Sequence, residues 1–265
     1  MSNALIGYTG FVGTTLLRQT PFDELYRSAN IGDIAGRRFD TVVCAGAPGQ
    51  KWLANREPQA DRASIERLIG HLRTIACRRF VLISTVDVFA RPQGVDEASP
   101  VDETELQAYG LHRRMLERFV EEQFPNSLIV RLPGLVGPGL RKNVIFDFQN
   151  QNNLHAMESR ASFQFYPMVN LWHDIQIALD AGLPLVHLTA APVTVAAISL
   201  EGFGRPFTQT LGGTPASYDM RSRHAALFGG NGSYQYGARE TMLAVRAYAQ
   251  TDPVTVPPVA EAGAA

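Results

Sequence analysis

The sequence predicts an α/β fold, a doubly wound parallel sheet with a small C-terminal lobe. A short apolar strand near the start of the chain ends in a glycine-rich turn. Short apolar segments then alternate with segments of helical periodicity, as they do when crossover helices join parallel strands. Beyond residue 134 the alternation becomes irregular, which indicates a lobe that shares the sheet rather than a separate domain.

The size and composition fit one α/β unit and exclude several classes of protein. The chain has 265 residues, of which 45% are hydrophobic and 18% are charged, enough to bury an ordinary core. The formal net charge is −1, so the charge balance does not favour nucleic acid or an anionic membrane. The two cysteines and the scattered histidines show no disulfide framework and no metal-ligand spacing. We therefore expect a cytoplasmic protein with no signal peptide, no membrane span and no metal.

The first half of the chain carries the clearest strand and helix patterns. The segment 79–84 contains a continuous apolar run, Phe80 to Ile83, as strands buried in parallel sheets do. Apolar residues recur at helical spacing in 61–75, at positions 65, 68, 69 and 72. Strands are predicted at 4–6, 40–46, 79–84 and 127–132, with a weaker candidate at 25–31. A first helix is predicted to begin with residues 14–18, and further helices are predicted at 61–75 and 106–123.

The second half carries fewer periodic segments. A helix is predicted at 171–181, a strand at 185–188 and a last helix at 240–249. The glycines at 229–232 mark a turn, and residues 251–265 are rich in Pro and Ala, which is typical of a flexible tail.

The glycine-rich turn indicates that the chain binds a dinucleotide. Gly7, Gly10 and Gly13 follow the first strand and precede the first helix. In Rossmann-like folds one such glycine permits the tight turn, another lets a phosphate approach the backbone, and the last lets the helix pack on the sheet. The helix N-terminus then offers free N–H groups to the pyrophosphate. The predicted contacts are Gly7, Thr9, Gly10, Phe11, Val12 and Gly13.

The residues after the second strand bear on which dinucleotide is bound. An acid about 20 residues after the turn grips the ribose 2′-hydroxyl in NAD-binding proteins, but this chain has Arg27 and Ser28 in that region. They could hold a 2′-phosphate, which favours NADP slightly over NAD, or they could be surface loop residues. Asp33 could approach the adenine. We therefore predict three parts of the chain. Residues 1–133 form a dinucleotide-binding core, 134–250 a small substrate lobe interleaved with the core, and 251–265 a flexible tail.

Several further segments follow the turn in an ordered series. They are Ala45-Gly46-Ala47 at a strand end, Ser84-Thr85 at the next, Tyr109 to Arg113, the segments 130–139 and 170–175, and Tyr218-Asp219. In this order they resemble the extended short-chain dehydrogenase/reductase family, the NAD-dependent epimerase/dehydratases. The resemblance covers nearly the whole chain.

The resemblance implies a catalytic tyrosine on the helix at 106–123. Members of the family use a Tyr as acid or base, a Lys four residues later, and a Ser or Thr that steadies the oxyanion. Tyr109 matches the Tyr and Thr85 the hydroxyl residue, with Ser84 as the alternative. Position 113 departs from the pattern because it is Arg. Arg113 could hold the nicotinamide ribose and lower the pKa of Tyr109, or it could be a salt-bridge partner beside a core tyrosine.

The resemblance also implies further contacts to the dinucleotide. These are Ala45, Gly46 and Ala47 at the strand end, Pro133 and Leu135 beside the nicotinamide, and Tyr109 with Arg113.

Four residues are candidates for binding the substrate. Lys51 follows the strand end at 40–46, and Asp87 lies in an otherwise apolar run. Lys142 and Asn143 follow a Gly-Pro-Gly turn and suit an anionic or hydroxyl-rich ligand. Each has a structural alternative: a surface pair for Lys51, a loop cap for Asp87, and turn chemistry for Lys142 and Asn143.

Taken together, the leading hypothesis is an NAD(P)-dependent oxidoreductase or epimerase/dehydratase. It would act on a carbonyl or hydroxyl carbon of a small molecule, in the first place a sugar or nucleotide-sugar. The alternative is a non-catalytic NAD(P)-binding sensor or assembly partner, because Arg113 stands where the family has Lys. The resemblance further suggests a homodimer through the helices at 61–75 and 106–123, unless their apolar faces are wholly internal.

Overall fold

The computed structural model describes residues 2–254, and every element below belongs to this part of the chain. Its strands are β1 (Ser2–Ile6), β2 (Glu24–Tyr26), β3 (Arg38–Cys44), β4 (Ala76–Thr85), β5 (Gln93–Val95), β6 (Ser127–Leu132), β7 (Gly134–Val136), β8 (Ser162–Phe163), β9 (Phe165–Pro167), β10 (Leu185–His187), β11 (Val193–Thr194) and β12 (Asp219–Met220). Its helices are α1 (Phe11–Gln19), α2 (Lys51–Arg56), α3 (Pro58–Leu72), α4 (Ala108–Gln123), α5 (Val144–Asn150), α6 (Leu171–Asp180), α7 (Val195–Ala197) and α8 (Ala238–Thr251).

Six strands form the central sheet, in the order β10-β6-β4-β3-β1-β2. All neighbouring strands run parallel. The chain passes outward from β1 to β2 and then crosses back to β3 on the other side of β1. The predicted doubly wound sheet is therefore confirmed. The reversal lies between β1 and β3, where such sheets bind ligands at the carboxyl ends of their strands.

Helices cover both faces of this sheet, as the continuous apolar strands require. On β4, Phe80 and Leu82 belong to a buried cluster shared with α3 and α4. Val81 and Ile83 point the other way, into a cluster shared with α1 and α6. The period of two along each strand thus places alternate side chains in separate cores.

The second half of the chain builds the lobe and also completes the sheet. Strand β10 extends the central sheet and α6 packs on its face. The small pairs β7–β9, β8–β11 and β5–β12 lie outside the central sheet. Helices α5 and α8 enclose a third apolar core with β7, β8, β9 and β11. Helix α8 includes Thr251, the first residue of the predicted tail; residues 255–265 of that tail lie outside the described part.

A buried carboxylate ties α4 to the sheet. Glu117 on α4 is fully buried. It accepts hydrogen bonds from Arg131 Nε at 2.9 Å and Nη2 at 2.7 Å, and from the Ser84 hydroxyl at 2.5 Å. Arg131 also lies 3.4 Å from His187 Nε2, and burial lowers the pKa of that imidazole. This network fixes α4 against the ends of β4, β6 and β10.

Among the described residues, no helix has the combination of length and apolar character that crossing a bilayer demands.

We expect Glu117→Gln to lower the free energy of unfolding by about 3–5 kcal/mol, because Arg131 would keep its buried charge without a counter-ion. Urea unfolding followed by circular dichroism measures the change. Glu121→Gln is the matched control, since Glu121 pairs with Arg114 one turn further along α4 but is 45% exposed; it should cost at most about 1 kcal/mol. Equal effects of the two substitutions would contradict this account.

Candidate functional site

The turn after β1 requires glycine at two of its three positions. Gly7 has φ +85°, and a Cβ atom there would lie 2.3 Å from the Ala45 carbonyl oxygen. A Cβ on Gly13 would lie 2.2 Å from the Gly7 carbonyl oxygen. At Gly10 the nearest such atom is 3.5 Å away, an ordinary contact. The packing of the protein therefore explains why positions 7 and 13 are glycine, whereas it would accommodate a Cβ at Gly10, which is exposed.

The exposed backbone at position 10 lies at the start of α1. Gly10 is the N-cap of the helix, no side chain caps the first turn, and that turn contains no acid. The N–H groups of a first helical turn lack intrahelical acceptors and carry partial positive charge. A pyrophosphate fits such a position because it accepts these hydrogen bonds and needs close approach to a backbone without a Cβ.

The residues predicted to choose the dinucleotide lie directly beside the turn. The Gly7 N–H donates to the carbonyl of Tyr26, the last residue of β2, at 2.8 Å. Arg27 and Ser28 follow at once and are exposed. The backbone N–H of Arg27 donates to Asn30 Oδ1 at 2.7 Å, which fixes the turn at this position. Asp33 is exposed in a 3-10 turn further on.

The other predicted contacts to the dinucleotide lie along the same edge. Ala45, Gly46 and Ala47 continue from β3, and Pro133 and Leu135 follow β6. Phe11, Val12, Ala45 and Leu135 are partly buried against the core, whereas Thr9 is exposed.

Tyr109 and Thr85 come together at the carboxyl end of β4. A Cβ on Gly110 would lie 2.0 Å from the carbonyl oxygen of Asp87, so glycine lets α4 approach the turn after β4 very closely. The N–H of Tyr109 donates to Asn55 on α2 at 2.9 Å. Burial raises the pKa of the Tyr109 phenol; Arg113, the hydrogen-bonding Thr85 side chain and Lys51 act against this rise, and the Asp87 charge adds to it.

Ser84 points away from this pair. Its hydroxyl donates to Glu117 in the buried network, so its oxygen is already engaged between β4 and α4. Thr85 instead caps the turn beside Tyr109, accepting from the Asp87 N–H at 3.2 Å. The geometry thus favours Thr85 over Ser84 for the hydroxyl role.

Arg113 is buried and its guanidinium has protein partners. Its Nη1 and Nη2 donate to Asp61 Oδ2 and Oδ1 at 2.5 and 2.9 Å. Nη2 also donates to the Pro48 carbonyl and Nη1 to the Tyr109 carbonyl. Of the guanidinium nitrogens of Arg113, only Nε has no hydrogen-bond partner among the described residues. The Nη donors of Arg113 are thus engaged within the protein, as the salt-bridge alternative describes, and its contact with the nicotinamide ribose stays a prediction.

The Arg113 guanidinium also lies over the ring of Tyr109, with Cζ 4.0 Å from the ring centroid. Asp61, on α3, accepts from His112 Nδ1 as well, at 2.7 Å. Burial alone would raise the pKa of Asp61, but the hydrogen bonds from Arg113 and His112 outweigh it and hold the pKa below its usual value.

Three further polar groups meet beside Tyr109, and we name them the Asp87 cluster: Asp87, Lys51 and Tyr218. Lys51 Nζ lies 2.7 Å from Asp87 Oδ1 and 3.2 Å from the Tyr218 hydroxyl. The Tyr218 hydroxyl donates to Asp87 Oδ1 at 3.3 Å. Burial by itself lowers the pKa of Lys51, but the adjacent carboxylate outweighs it and the pKa is raised. Lys51 begins the short helix α2 rather than lying in a loop.

The two remaining substrate candidates differ in their surroundings. Lys142 Nζ hydrogen-bonds the Gly49 carbonyl, and burial lowers the pKa of this ammonium. Asn143 caps α5: its Oδ1 accepts from the Ile145 N–H at 2.9 Å and its Nδ2 donates to the Leu135 carbonyl at 2.9 Å. Asn143 therefore has the structural role of a helix cap, its predicted alternative to binding substrate. Lys142 lies within electrostatic reach of Asp87 and Arg113.

A cavity of about 320 Å³ lies in the lobe. The Phe163 ring, which lines it, lies 5.6 Å from the Tyr218 ring between centroids. Phe163 thus connects the lining of the cavity to Tyr218, although no residue of the Asp87 cluster lines the cavity itself. Its lining consists of Val144, Ala156, Met157, Glu158, Ala161, Phe163, Val195 and the segment 211–216.

Sequence reasoning missed Asp61, Tyr218 and Gly110 as parts of the site. Asp61 left a signal, since it precedes Ile65, Leu68 and Leu72 at helical spacing and so lies on the buried stripe of α3. A charge on such a stripe requires a partner. Tyr218 belongs to a segment that carries the resemblance, but nothing near it in the sequence indicates its contacts with Lys51 and Asp87, which are 167 and 131 positions away. In the described part of the chain, no group of three or more His, Cys, Asp or Glu residues could hold a metal ion.

No protein-family model matches the chain. No curated protein matches it either. Solved structures do share its fold. A dTDP-4-dehydrorhamnose reductase of Clostridium acetobutylicum is 16% identical with a TM-score of 0.69, covering 94% of this chain and 98% of that chain.

Two further structures were solved with ligands. RMD of Pseudomonas aeruginosa, complexed with NADPH, is 16% identical with a TM-score of 0.67 over 94% of this chain and 99% of that chain. MoeE5, in complex with UDP-glucuronic acid and NAD, is 18% identical with a TM-score of 0.70 over 92% of this chain and 97% of that chain. At these identities the similarity establishes the fold, a Rossmann-like sheet with an added lobe.

We expect Gly13→Ala to destabilise the protein by about 1–3 kcal/mol, because its Cβ would collide with backbone that cannot retreat from β3. Thermal unfolding measures the loss. Gly70→Ala on α3 is the control, since its Cβ meets no atom within 4 Å and alanine favours helix. A Gly13→Ala protein as stable as Gly70→Ala would show that the turn is looser than described.

Proposed function

We propose that this protein is an NAD(P)-dependent oxidoreductase or epimerase/dehydratase that acts on a carbonyl or hydroxyl carbon of a sugar or nucleotide-sugar. The observation that carries the proposal is the convergence of Tyr109 and Thr85 at the sheet edge that also holds the turn of Gly7, Gly10 and Gly13. A dinucleotide site after β1 and an acid/base residue beside the end of β4, with only β3 between the two strands, would suit hydride transfer coupled to proton transfer.

The fold and the glycine-rich turn after β1 support the binding of a dinucleotide at this edge of the sheet. The start of α1 and Gly10 would hold the pyrophosphate, and the residues after β3 and β6 would flank the rest of the molecule. When bound, the nicotinamide supplies or accepts the hydride. Structures of the same fold were solved with NADPH and with NAD.

Tyr109 would exchange the proton that accompanies the hydride. In the reducing direction the phenol donates its proton to the substrate oxygen, and in the oxidising direction the phenolate accepts it. The Thr85 hydroxyl would donate a hydrogen bond to the same oxygen and stabilise negative charge on it. Because burial raises the pKa of Tyr109, the phenol is protonated at neutral pH, which is the state that reduction requires.

The Asp87 cluster and Lys142 would bind the substrate. Asp87 accepts and Lys51 donates hydrogen bonds, so the pair suits a ligand rich in hydroxyl groups. The cavity in the lobe, which adjoins Tyr218 through Phe163, gives room for a group attached to the reacting sugar. These features support a sugar substrate, and a structure of the same fold, MoeE5, was solved in complex with UDP-glucuronic acid.

The homodimer suggested by the resemblance stays a prediction. Exposed positions of α3 and α4 carry charged side chains such as Arg62, Glu66 and Arg118, while their apolar residues are in the core. Light scattering after size-exclusion chromatography would decide the oligomeric state.

The first test of the function is Tyr109→Phe. We expect turnover of nucleotide-sugars with NADPH or NADH to fall by at least about 100-fold, because general acid/base catalysis contributes that much, while dinucleotide affinity is retained. Tyr248→Phe, in the core of the lobe, should retain activity. Dinucleotide binding without turnover in any substrate panel would instead favour the sensor alternative. Absence of dinucleotide binding would overturn both.

The second test concerns the choice of dinucleotide. Arg27→Ala should weaken NADPH binding about tenfold, the size of one charge-assisted hydrogen bond, and leave NADH binding nearly unchanged. Isothermal titration calorimetry with both dinucleotides measures this. Arg18→Ala at the far end of α1 is the control with equal charge loss. Equal weakening of NADPH and NADH by Arg27→Ala would refute a 2′-phosphate contact.

A further inference from the structure

A buried interaction between α3 and α4 determines how the cation at position 113 reaches Tyr109. We propose that Asp61 is a positioning residue, whose carboxylate grips the edge of the Arg113 guanidinium and holds its flat face against the Tyr109 ring. The role assigned to this contact rests on the proposed function of Tyr109 as the acid/base group.

The geometry of the grip is two-pronged. Both carboxylate oxygens of Asp61 accept from separate nitrogens of Arg113, at 2.5 and 2.9 Å. Asp61 is 7% and Arg113 3% exposed, so the pair is shielded from water and its orientation is fixed. The Pro48 carbonyl takes a further donor of Nη2. These contacts fix the plane of the guanidinium, and Cζ then lies 4.0 Å from the Tyr109 ring centroid.

Only arginine can satisfy both demands at once. A guanidinium is planar, so it can present its edge to a carboxylate and its face to an aromatic ring. A lysine ammonium is a compact point charge, so it could not pair with both oxygens of Asp61 and also lie over the ring. The departure from the family pattern at Arg113 and the buried acid at Asp61 are therefore two halves of one arrangement.

The cation acts on Tyr109 through the face of the ring. A positive charge over an aromatic face is attracted by the ring electrons. The attraction is stronger for the phenolate, which carries a full negative charge partly spread over the ring, than for the phenol. Arg113 thereby stabilises the phenolate formed when Tyr109 gives up its proton. It does so with all four Nη donors occupied, leaving Nε as its one free N–H in the described structure.

Several charges surround this contact and fix the sign of the test. Asp87 and Lys51 face Tyr109 with Arg113. His112 shares Asp61, and Lys142 lies within the electrostatic reach of Arg113. Removing the negative charge of Asp61 would, by charge alone, lower the pKa of Tyr109. Releasing Arg113 from the ring would raise it. The two explanations therefore predict opposite signs.

The experiment is a titration of Tyr109 in the protein alone. Replacing the tyrosines with 3,5-difluorotyrosine lowers their pKa values into the range where the protein stays folded, and fluorine NMR then follows each phenol. The signal lost in Tyr109→Phe identifies the residue. We expect Asp61→Asn to raise its pKa by about one pH unit, because an amide presents a donor to one prong of the guanidinium and breaks the grip.

Matched variants separate the grip from other effects. Arg113→Gln should raise the pKa of Tyr109 by a similar amount, and adding Asp61→Asn to it should produce no further rise. Asp61→Glu keeps the charge but displaces the carboxylate, so it should also raise the pKa and serves if Asp61→Asn does not fold. Asp40→Asn, at a surface acid that pairs with Arg78, should change nothing.

A fall or no change in the pKa of Tyr109 in Asp61→Asn would overturn the proposal, and so would a further rise in the double variant. The titration needs neither dinucleotide nor substrate, so its outcome is separate from that of the turnover assays. Turnover lost in Tyr109→Phe together with an unmoved Tyr109 pKa in Asp61→Asn would leave the proposed function standing and remove the role of Asp61.

Discussion

The close backbone packing at Gly7 is the constraint on which the candidate site depends. Its carbonyl accepts from the Gly10 N–H and lies close to Gly13 in α1. Its N–H donates to the last residue of β2, and its α-carbon lies against the backbone after β3. The start of α1, the end of β2 and the segment after β3 therefore meet at Gly7 on the carboxyl edge of the sheet. The other side of the site can then be built from β4 and α4 at a fixed distance from the start of α1.

Helix α4 carries the catalytic candidate and is held by two buried ion pairs. Arg113 pairs with Asp61 of α3 near the start of the helix, and Glu117 pairs with Arg131 of β6 one turn later. Buried pairs of this kind add little net stability, but they penalise every arrangement in which a partner is missing. They therefore act as locks on the position and rotation of α4, which an apolar interface alone would leave free to slide.

The sequence predicts the large elements well because apolar periodicity is a local property. The strand at 127–132 has the observed bounds of β6, and the stripe of Ile65, Leu68 and Leu72 identifies α3. The short elements α2, β5 and β7–β9 span too few residues to show a period. The contacts of Asp61 and Tyr218 depend on which segments become neighbours in the fold, and neither residue has a local pattern that names its partner. The roles of the site residues remain predictions.

The Asp87 cluster has a consequence for how this chain folds. Lys51 and Tyr218 are separated by 167 positions, and Asp87 and Tyr218 by 131. Contacts of such long range form after the local ones, because the chain must first lose the entropy of closing a large loop. Tyr109 and Thr85, by contrast, lie on α4 and β4, which are close together along the chain, so we expect them to meet earlier. We therefore expect the cluster that would bind the substrate to be completed only when the lobe docks, late in folding.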